Sequence, residues 1–395
     1  MTVNPPMLVV YTMEDTTLEP IKVIQDYTSI SYTPKFDDVG SFTLTMPFSK
    51  EYFKLFLPEN NLEKVLLIED GIVGICQKIS CDLKDKSETL KIQGSLGEAF
   101  LDNSILNNYP YQVPANPDVE DPYTIQSHIQ YVLNDSAVLN NTLWEALRFV
   151  PIQTDTSFIP NNDVQVGMST FGEFIRTLCK SCNKGYKVRL NAQTRKLDFS
   201  LCDFTDRGST SNSPVIISRD FAAISSSKFS LNTQQYKNKL RVWTEFDVSD
   251  PHDQHISAYM SIDYDEYDKR PHTKKEIRAD YIKVDVSSEE QITTISQGYG
   301  RLQANGKKAL YDYSYVKSYE CNLQTENREN VYKFGEDYQL GDVLCVRDSR
   351  LDLTLDVRLL EYTQTYNTSG KYFDPTFGVS QPTLNAVLKK QKIIT

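Results

Sequence analysis

Apolar and polar residues alternate along much of the first hundred positions, which is the pattern of strands with one buried face. The clearest run is FTLTM at 42–46, where every second side chain is apolar. Two further apolar runs, 65–69 and 72–79, flank the dipeptide Asp70-Gly71. This dipeptide favours a type I′ turn, because both central residues of that turn need a positive φ. Residues 1–100 are therefore predicted to form a small antiparallel β domain.

The spacing becomes helical after Leu101. Asp121-Pro122 offers a helix start, and the apolar residues that follow recur on one face. A second helix is predicted from Thr170, because Thr170 and Glu173 have the spacing of a capping box. Its C-terminal cap is expected at Gly185.

Two alternating segments, 186–190 and 197–201, follow this helix and are separated by a polar turn. They predict a β-hairpin. With the two helices they predict an α/β insertion domain over residues 101–214. It ends in the Ser- and Gly-rich segment DRGSTSNSP, which is typical of a linker.

Period-two alternation returns at 240–248 and predicts a second β domain over residues 215–365. Ser287 and Glu290 form another capping-box pair, which predicts an inserted helix near 288–310. Residues 366–395 are assigned to a C-terminal tail. The predicted fold class is mainly β with an α/β insertion.

The composition is that of a folded chain, with 39% hydrophobic residues, 24 Tyr and 18 Phe. Forty-two Lys and Arg against 53 Asp and Glu give a net charge of -11, and no basic stripe is present, which argues against groove-bound nucleic acid. No run approaches the ~18 apolar residues of a membrane helix, so we expect neither a membrane segment nor a secretory signal. Seven widely spread Cys indicate folding in a reducing cytoplasm.

Two polar clusters contain residue types that bind metals. His252, Asp253 and His255 occupy a Pro-containing segment and not a helix face, which favours a solvated loop over a zinc site. The acidic run at 263–268 lacks the Gly and the closing Glu of a calcium loop. A solvated hairpin tip is favoured there, with weak calcium binding as the alternative.

Cys179 and Cys182 form a CxxC pair, and Cys202 follows later in the chain. A structural zinc needs four ligands, and neither a second CxxC nor a suitably spaced His is present. The pair also lies in the apolar stripe of the predicted helix. Buried hydrophobic side chains are therefore the favoured interpretation, and we predict no metal and no cofactor.

Sequence motifs of catalysis are missing from the chain. It has no GxSxG, HExxH, GxxxxGK[ST] or strand-bounded GxGxxG motif. The segment GYGRLQANG from Gly298 lacks a phosphate-loop Lys, and its glycines favour tight helix packing. We predict no catalytic residues, although a glycosidase-type pair of carboxylates is defined in space and not by spacing.

Two stretches are similar to a known family. The first is SISYTPKFDDVGSFTLTMP, leading into LLIEDGIVGICQKIS and ETLKIQGSLGEAFLDNSI. The second is YKFGEDYQLGDVLCVRDSRLDLTLDVRLLEYTQTY, followed by TFG. With the hairpin KVRLNAQTRKLDFSL, they resemble the tail-tip hub proteins of long-tailed phages. These are also called tail-associated or Gp37-like siphovirus proteins and are related to the baseplate hubs of contractile tails.

The resemblance implies two tube-like antiparallel β-barrel domains per chain and a homotrimer coaxial with the tail. Implied partners are the distal tail protein, the tail tube and tape-measure proteins and receptor-binding baseplate proteins, with DNA only as cargo in the lumen. The implied location is the virion, after assembly in the host bacterial cytoplasm. Many relatives continue into a peptidase or peptidoglycan hydrolase, whereas this chain stops at Thr395, so we expect no lytic activity.

Short turn signatures carry much of the resemblance, and we assign them structural roles. At Leu340-Gly341-Asp342 the Gly permits a tight turn, and the Asp can bond back to the backbone at a strand entrance. The six signature residues are Gly40, Phe42, Asp70, Gly71, Gly341 and Asp342.

Two functions from different classes stay open at this point. The resemblance favours a structural hub that closes or opens the tail lumen and anchors other baseplate proteins. The alternative is a carbohydrate-active or peptidoglycan-degrading enzyme on a β scaffold. The oligomeric mass separates them, because a hub must be a closed oligomer.

Overall fold

The computed structural model describes residues 5–14, 17–57, 64–84, 87–106, 124–134, 146–152, 170–181, 184–218, 224–232, 237, 239–248, 254–263, 279–283, 292, 294–312, 316–323, 332–350 and 352–378. Strands dominate these residues, so the chain is mainly β with an α/β insertion, which confirms the predicted fold class. Closure of the strands into tubes stays a prediction.

The strands are numbered along the chain. They are β1 (Leu8–Glu14), β2 (Thr17–Ile24), β3 (Ser29–Thr33), β4 (Ser41–Pro47), β5 (Lys64–Leu67), β6 (Val73–Lys84), β7 (Ser87–Leu96), β8 (Leu147–Phe149), β9 (Gly185–Asn191), β10 (Lys196–Cys202), β11 (Asp206–Arg207), β12 (Ile216–Ser218), β13 (Ile224–Asn232), β14 (Lys239–Val248), β15 (Gln254–Asp263), β16 (Ala279–Lys283), β17 (Val316–Leu323), β18 (Val343–Asp348), β19 (Leu353–Asn367) and β20 (Gly370–Gly378). The helices are α1 (Lys50–Phe56), a 3-10 helix (Gly97–Asn103), α2 (Ile125–Asn134), α3 (Phe171–Ser181) and α4 (Ile295–Asp312).

The chain divides into two compact units. One comprises Met1–Lys228 and Tyr319–Gly378, and the other comprises Phe229–Ser318 and Val379–Thr395. The chain leaves the first unit within β13 and returns to it within β17. This division differs from the predicted series of blocks at 1–100, 101–214, 215–365 and 366–395.

One large sheet organises the first unit. Its strand order is β13-β17-β20-β19-β3-β4-β7-β6-β5-β1-β2, and β18 joins β19 and carries β11 and β12. Strands of the first and last predicted β blocks therefore share one sheet, whereas the sequence predicted two separate β domains. Alternation indicates which side chains are buried, but it does not identify the partner strand.

Strand β19 makes the connection between the two sets of strands. Its first residues pair with β18 and its later residues with β20. Residues 364–367 also pair with β3, and Gln364 lies opposite Tyr32. These two residues are more than three hundred positions apart in sequence, so no local pattern reports the pairing.

The α/β insertion packs onto the first set of strands and shares its core. A three-stranded sheet, β8-β10-β9, contains the predicted hairpin. One hydrophobic cluster includes Val65 of β5 and Val73 of β6 together with Ile125 of α2, Phe171 of α3 and Phe199 of β10. The insertion is therefore not a separate hydrophobic core.

The predicted capping box of α3 is confirmed. Thr170 Oγ1 accepts a hydrogen bond from the Glu173 N–H at 3.1 Å, and the Glu173 carboxylate accepts one from the Thr170 N–H at 3.4 Å. Two N–H groups that lack partners within the helix are thus satisfied reciprocally.

The first turns of α2 and α4 are each capped by a threonine hydroxyl group. α2 begins at Ile125, where Thr124 Oγ1 accepts a hydrogen bond from the Ser127 N–H at 3.2 Å. α4 begins at Ile295 and is capped in the same way by Thr294. A hydroxyl directly before the apolar stripe provides the cap in both cases, whereas the predicted caps lie further upstream, at Asp121-Pro122 and at Ser287 with Glu290, outside the described residues.

The predicted linker and tail contain sheet structure. In the segment 206–214, β11 pairs with β18, and the Ser209 N–H and hydroxyl both donate hydrogen bonds to Asp356. In the segment 366–395, β20 pairs with β19 along its length. The composition of 206–214 predicted a linker, but composition does not identify the strand with which a segment pairs. Residues 379–395 lie outside the described part.

In the described part of the second unit, β15-β14-β16 form a three-stranded sheet, and α4 packs on one face of it. The core contains Leu240 and Val242 of β14, Ile262 of β15 and Leu302 of α4. Gly298 lies against the ring of Phe246, and a Cβ there would be 2.2 Å from Phe246 Cζ. This contact confirms that Gly298 serves tight helix packing.

Two glycines of α4 provide a matched test of that packing. Gly300 has open space around it, so Gly300→Ala is expected to stabilise the second unit by about 1 kcal/mol through helix propensity. Gly298→Ala brings the same gain in helix propensity, but its Cβ forces Phe246 to move. It is expected to destabilise the second unit by about 1–3 kcal/mol. Urea unfolding of the full chain measures both variants. Equal changes in the free energy of unfolding for the two substitutions would contradict the packing of Gly298 against Phe246.

Candidate functional site: the junction at Phe36 and Gly341

The six signature residues do not form one site, but each glycine among them allows two distant segments to approach closely. Gly40 accepts a hydrogen bond from the Leu96 N–H at 2.9 Å. A Cβ at Gly40 would lie 2.5 Å from the Thr33 carbonyl oxygen. Gly40 therefore serves the packing of β3 against the end of β7.

Phe42 is a buried residue of β4 whose ring covers two glycines of neighbouring strands. A Cβ at Gly74 would lie 2.5 Å from its ring, and one at Gly94 would lie 3.0 Å from it. Gly94 is also the cross-strand partner of Phe42. An aromatic ring laid over strand glycines replaces the side-chain contacts that the glycines lack.

Asp70 and Gly71 form the predicted turn between β5 and β6. Their φ angles are 48° and 74°, so both central residues are left-handed, as a type I′ turn requires. The turn also contacts the insertion, because the Gly71 carbonyl oxygen accepts a hydrogen bond from the Leu190 N–H at 2.8 Å. The hairpin thus fixes the position of β9.

Phe36 links three segments that are distant in sequence. A Cβ at Gly185 would lie 2.4 Å from Phe36 Cε2, and a Cβ at Gly341 would lie 2.2 Å from the same atom. Its backbone N–H donates to the Leu360 carbonyl at 2.8 Å, and its carbonyl accepts from the Tyr186 N–H at 3.1 Å. We call this site the junction and define it as Phe36, Gly185, Gly341, Asp342 and Arg358.

Gly185 was predicted as the C-terminal cap of α3, and this prediction is wrong. α3 ends at Ser181, and Gly185 is the first residue of β9. The physical reason for glycine at this position is its contact with Phe36, which leaves no space for a side chain.

Gly341 has a φ of 97°, a conformation that favours glycine, and its N–H donates to the Leu359 carbonyl at 2.8 Å. Asp342 is fully buried, and its carboxylate accepts hydrogen bonds from the Thr205 N–H at 2.7 Å, the Gln339 N–H at 3.1 Å and Arg207 Nε at 3.2 Å. The predicted bond of Asp342 back to the local backbone is therefore present. The carboxylate also joins the chain at 205–207 to the start of β18.

Arg358 completes the junction from β19. Its guanidinium lies 5.0 Å from the ring centroid of Phe36 and 4.0 Å from that of Phe204. Burial lowers the pKa of Arg358, while Asp37 and Asp342 oppose this effect. A cation between two aromatic rings stabilises their relative position.

A carboxylate and two tyrosines connect the Asp70-Gly71 hairpin to β3 and β19. Glu69 accepts hydrogen bonds from the hydroxyl groups of Tyr32 and Tyr366, the latter at 2.8 Å. Burial raises the pKa of Glu69, whereas the bond from Tyr366 and the charge of Lys371 lower it. The three residues hold the turn of one hairpin at the point where β3 pairs with β19.

Glu98 of the 3-10 helix is a buried carboxyl group. Its Oε1 accepts hydrogen bonds from Arg189 at 3.2 Å and from the Val188 N–H at 3.4 Å. Its Oε2 has no hydrogen-bond partner within the described part of the chain. Burial raises the pKa of Glu98 despite the opposing charge of Arg189.

The candidate metal ligands that the structure describes lie on different elements. Cys179 is buried in α3, and Cys202 lies on β10. His255 of β15 contacts Asp247 at 2.8 Å. Among the described residues, no group of three or more His, Cys, Asp or Glu side chains is arranged to hold a metal. Cys182, His252, Asp253, His272 and residues 264–268 lie outside these residues.

Sequence reasoning missed Phe36, Arg358, Glu69 and Glu98. Phe36 had one available signal, because it is an isolated aromatic residue between Pro34 and Asp37 in a loop that should be polar. The other three are charged residues, in β19, beside the Asp70-Gly71 turn and in the 3-10 helix, and their contacts come from distant segments. No helix within the described ranges is long and apolar enough to span a membrane.

Comparison with known proteins gives a family for this fold. Residues 8–379 match the family described as "Siphovirus ReqiPepy6 Gp37-like protein". No curated protein sequence matches the chain.

Two solved structures are similar over nearly the whole chain. One is the 43 kDa tail protein of prophage MuSo2 from Shewanella oneidensis, with 14% identity, a TM-score of 0.55 and coverage of 94% of this chain and 98% of that one. The other is a tail protein from Neisseria meningitidis MC58, with 12% identity, a TM-score of 0.53 and coverage of 94% and 97%. At these identities the likeness shows a shared fold.

Removal of the buried carboxylate at the junction should be costly. Asp342→Ala leaves Arg207 and two backbone N–H groups without their acceptor, and is expected to destabilise the first unit by about 3–5 kcal/mol in urea unfolding. Asp342→Asn keeps the shape and one acceptor, so its effect should be smaller. Glu336→Ala, an exposed carboxylate in the preceding turn, is the control. If Asp342→Ala lowered the free energy of unfolding no more than Glu336→Ala does, the assigned role of Asp342 would be contradicted.

The raised pKa of Glu98 predicts a pH dependence. The contribution of Glu98 to the free energy of unfolding is complete below the ordinary pKa of a glutamate, about 4.3. It is lost as the pH rises through the higher pKa that Glu98 has in the folded chain. The wild type should therefore lose stability over this range, and Glu98→Gln should lose less. Urea unfolding from about pH 4 to pH 8 measures the difference. The assigned pKa shift would be contradicted if the free energy of unfolding of Glu98→Gln depended on pH as in the wild type. It would also be contradicted if the exposed control Glu336→Gln changed this dependence equally.

Proposed function

Because the chain belongs to the family of Siphovirus ReqiPepy6 Gp37-like proteins, we propose that it is a structural component of a phage tail. The family match over residues 8–379 carries this proposal. The two solved structures that share its fold are described as tail proteins, and the shared fold supports the extension to this chain.

The specific role proposed is that of a hub at the distal end of the tail tube. Three copies form a ring around the lumen, and the ring closes or opens to control the passage of DNA. The continuous sheet and the junction support this role, because they tie segments from both ends of the chain into one packed unit. A subunit that closes a tube needs such a unit to keep its interfaces in register.

The charge of the chain suits a conduit for DNA. A net charge of -11 repels phosphate, so DNA passing through the ring is cargo and not a bound ligand. Opening requires two arrangements of the subunits that differ by only a few kcal/mol, so that a partner can select one of them.

The proposed partners are other tail components: the distal tail protein, the tail tube and tape-measure proteins, and receptor-binding baseplate proteins. The proposed location is the virion tail tip, after assembly in the host cytoplasm. The role is not enzymatic. In the residues that the structure describes, the carboxyl groups of Glu69, Glu98 and Asp342 serve contacts between segments.

The oligomeric state tests this proposal. Light scattering at several protein concentrations should give three times the chain mass of 45.3 kDa. Electron micrographs of the particles viewed end-on should show a three-fold ring with an axial passage in at least one state. A monomer at all concentrations, also in the presence of the distal tail protein, would contradict the hub. A solid disc in every state would contradict the conduit.

A further inference from the structure

Strand β2 ends the large sheet of the first unit, and among the described strands it pairs only with β1. The backbone groups on its other side form a sheet edge, which is where a strand of another chain adds to a sheet. Ile21 is 42% exposed and Val23 is 45% exposed, so this edge is also apolar. An apolar edge strand favours association of the chain with other copies unless something covers it.

The turn between β9 and β10 lies against this edge. The Leu18 N–H donates a hydrogen bond to the Arg195 carbonyl oxygen at 2.9 Å. Arg195 Nη1 donates to both carboxylate oxygens of Glu19, at 2.7 Å and 2.6 Å. One residue of the turn therefore holds two successive residues of β2, one through its backbone and the other through its side chain. We call residues 192–195 the guard turn.

The conformation of the guard turn is set by contacts within the hairpin. Asn191 Oδ1 accepts hydrogen bonds from the Gln193 and Thr194 N–H groups at 3.0 Å and 3.2 Å. The Arg195 N–H donates to the Asn191 carbonyl oxygen at 2.8 Å, and Arg195 has a φ of 54°, which is uncommon for a residue with a side chain. A two-residue turn closes a hairpin equally well, whereas the guard turn also reaches β2.

Strand β2 has two further features that oppose pairing at its edge. The Leu18 N–H points away from β1, and the next residue that points the same way is Pro20, which has no N–H to donate. Ile21 is left out of the register with β1 and forms a bulge. Proline and bulges are means by which proteins prevent edge-to-edge pairing. The guard turn is thus part of a consistent protection of this edge.

A second copy of this chain is the partner that suits the edge. Antiparallel pairing of residues 17–24 with the same residues of a second copy places Glu19 opposite Lys22 twice, because such a pair is symmetric. The edge is therefore complementary to itself in charge. Within one chain, Glu19 pairs with Arg195 and Lys22 lies 2.7 Å from Glu51, so both charges are already engaged.

We propose that the guard turn is an autoinhibitory contact, which prevents a second copy of this chain from adding a strand to β2. It engages the Leu18 N–H and the Glu19 carboxylate, which are groups that the added strand would need. This inference goes beyond the hub function and holds for a trimer or a monomer alike, because it concerns association beyond the wild-type state.

The test replaces the guard turn in the full chain. The dipeptide Asn-Gly in place of residues 192–195 keeps the pairing of Asn191 with Lys196 but removes both contacts of Arg195. Pro20→Thr restores the missing N–H. Light scattering compares both variants and their combination with the wild type at equal concentrations. At high concentration the combined variant should reach about twice the wild-type mass or more. The replacement alone should give a smaller increase, and Pro20→Thr alone should keep the wild-type mass because the guard turn remains.

Hydrogen exchange at the Leu18 N–H shows whether β2 is the edge that associates. At low concentration this amide should exchange about tenfold faster or more in the guard-turn replacement than in the wild type, because its acceptor is gone. In the combined variant its exchange should slow again as the mass rises. Amides of β9 and β10 should keep their wild-type rates, which shows that the hairpin is intact.

Arg148→Ala is the matched control, because it removes another exposed arginine of the insertion, which pairs with Asp198 at 2.9 Å. It should change neither the mass nor the exchange of Leu18. If the guard-turn replacement fails to fold, Arg195→Gly combined with Pro20→Thr preserves the test. Glycine accepts the φ of the turn and removes only the guanidinium, so a smaller increase in mass is expected.

Three results would overturn the proposal. The first is equal exchange of Leu18 in the wild type and the guard-turn replacement. The second is a combined variant that keeps the wild-type mass at every concentration. The third is an increase in mass that Arg148→Ala shares, or that brings no renewed protection of Leu18, since either would assign the association to another surface.

Discussion

The ring of Phe36, seated against Gly185 and Gly341, is the contact on which the arrangement of the first unit depends. A single ring edge occupies the space of two missing Cβ atoms, from the insertion and from the entrance of β18. Because interiors are close-packed and do not deform continuously, a side chain at either glycine would push these segments apart. Three parts of the chain thus meet at one residue of a loop.

Several other contacts form only when these three segments meet at Phe36. Asp342 reaches the backbone at Thr205 only when the turn at Gly341 lies close to the insertion, and Arg358 stacks on Phe36 from β19. The pairing of β3 with β19 begins a few residues from Phe36. The large sheet and the insertion are consequently one packed unit, although periodicity alone divides them into blocks.

Features set by neighbouring residues could be predicted from the sequence. The Asp70-Gly71 turn, the Thr170 capping box and the hairpin of β9 and β10 all follow from local backbone chemistry. The contact of Gly185 with Phe36 and the pairing of β3 with β19 could not be predicted, because each joins residues more than a hundred positions apart. Glu98 looked like an ordinary charged residue for the same reason, since its burial comes from strands that fold against it.

A subunit built in this way suits assembly, because distant segments are fixed within the chain before any partner is bound. We propose that this chain forms the distal hub of a phage tail. Gold-labelled antibodies against the chain, applied to purified particles and viewed by electron microscopy, test it most directly. The hub predicts gold at the tail end furthest from the head on most particles. Purified particles that lack the chain, while it is abundant in the lysate, would contradict it.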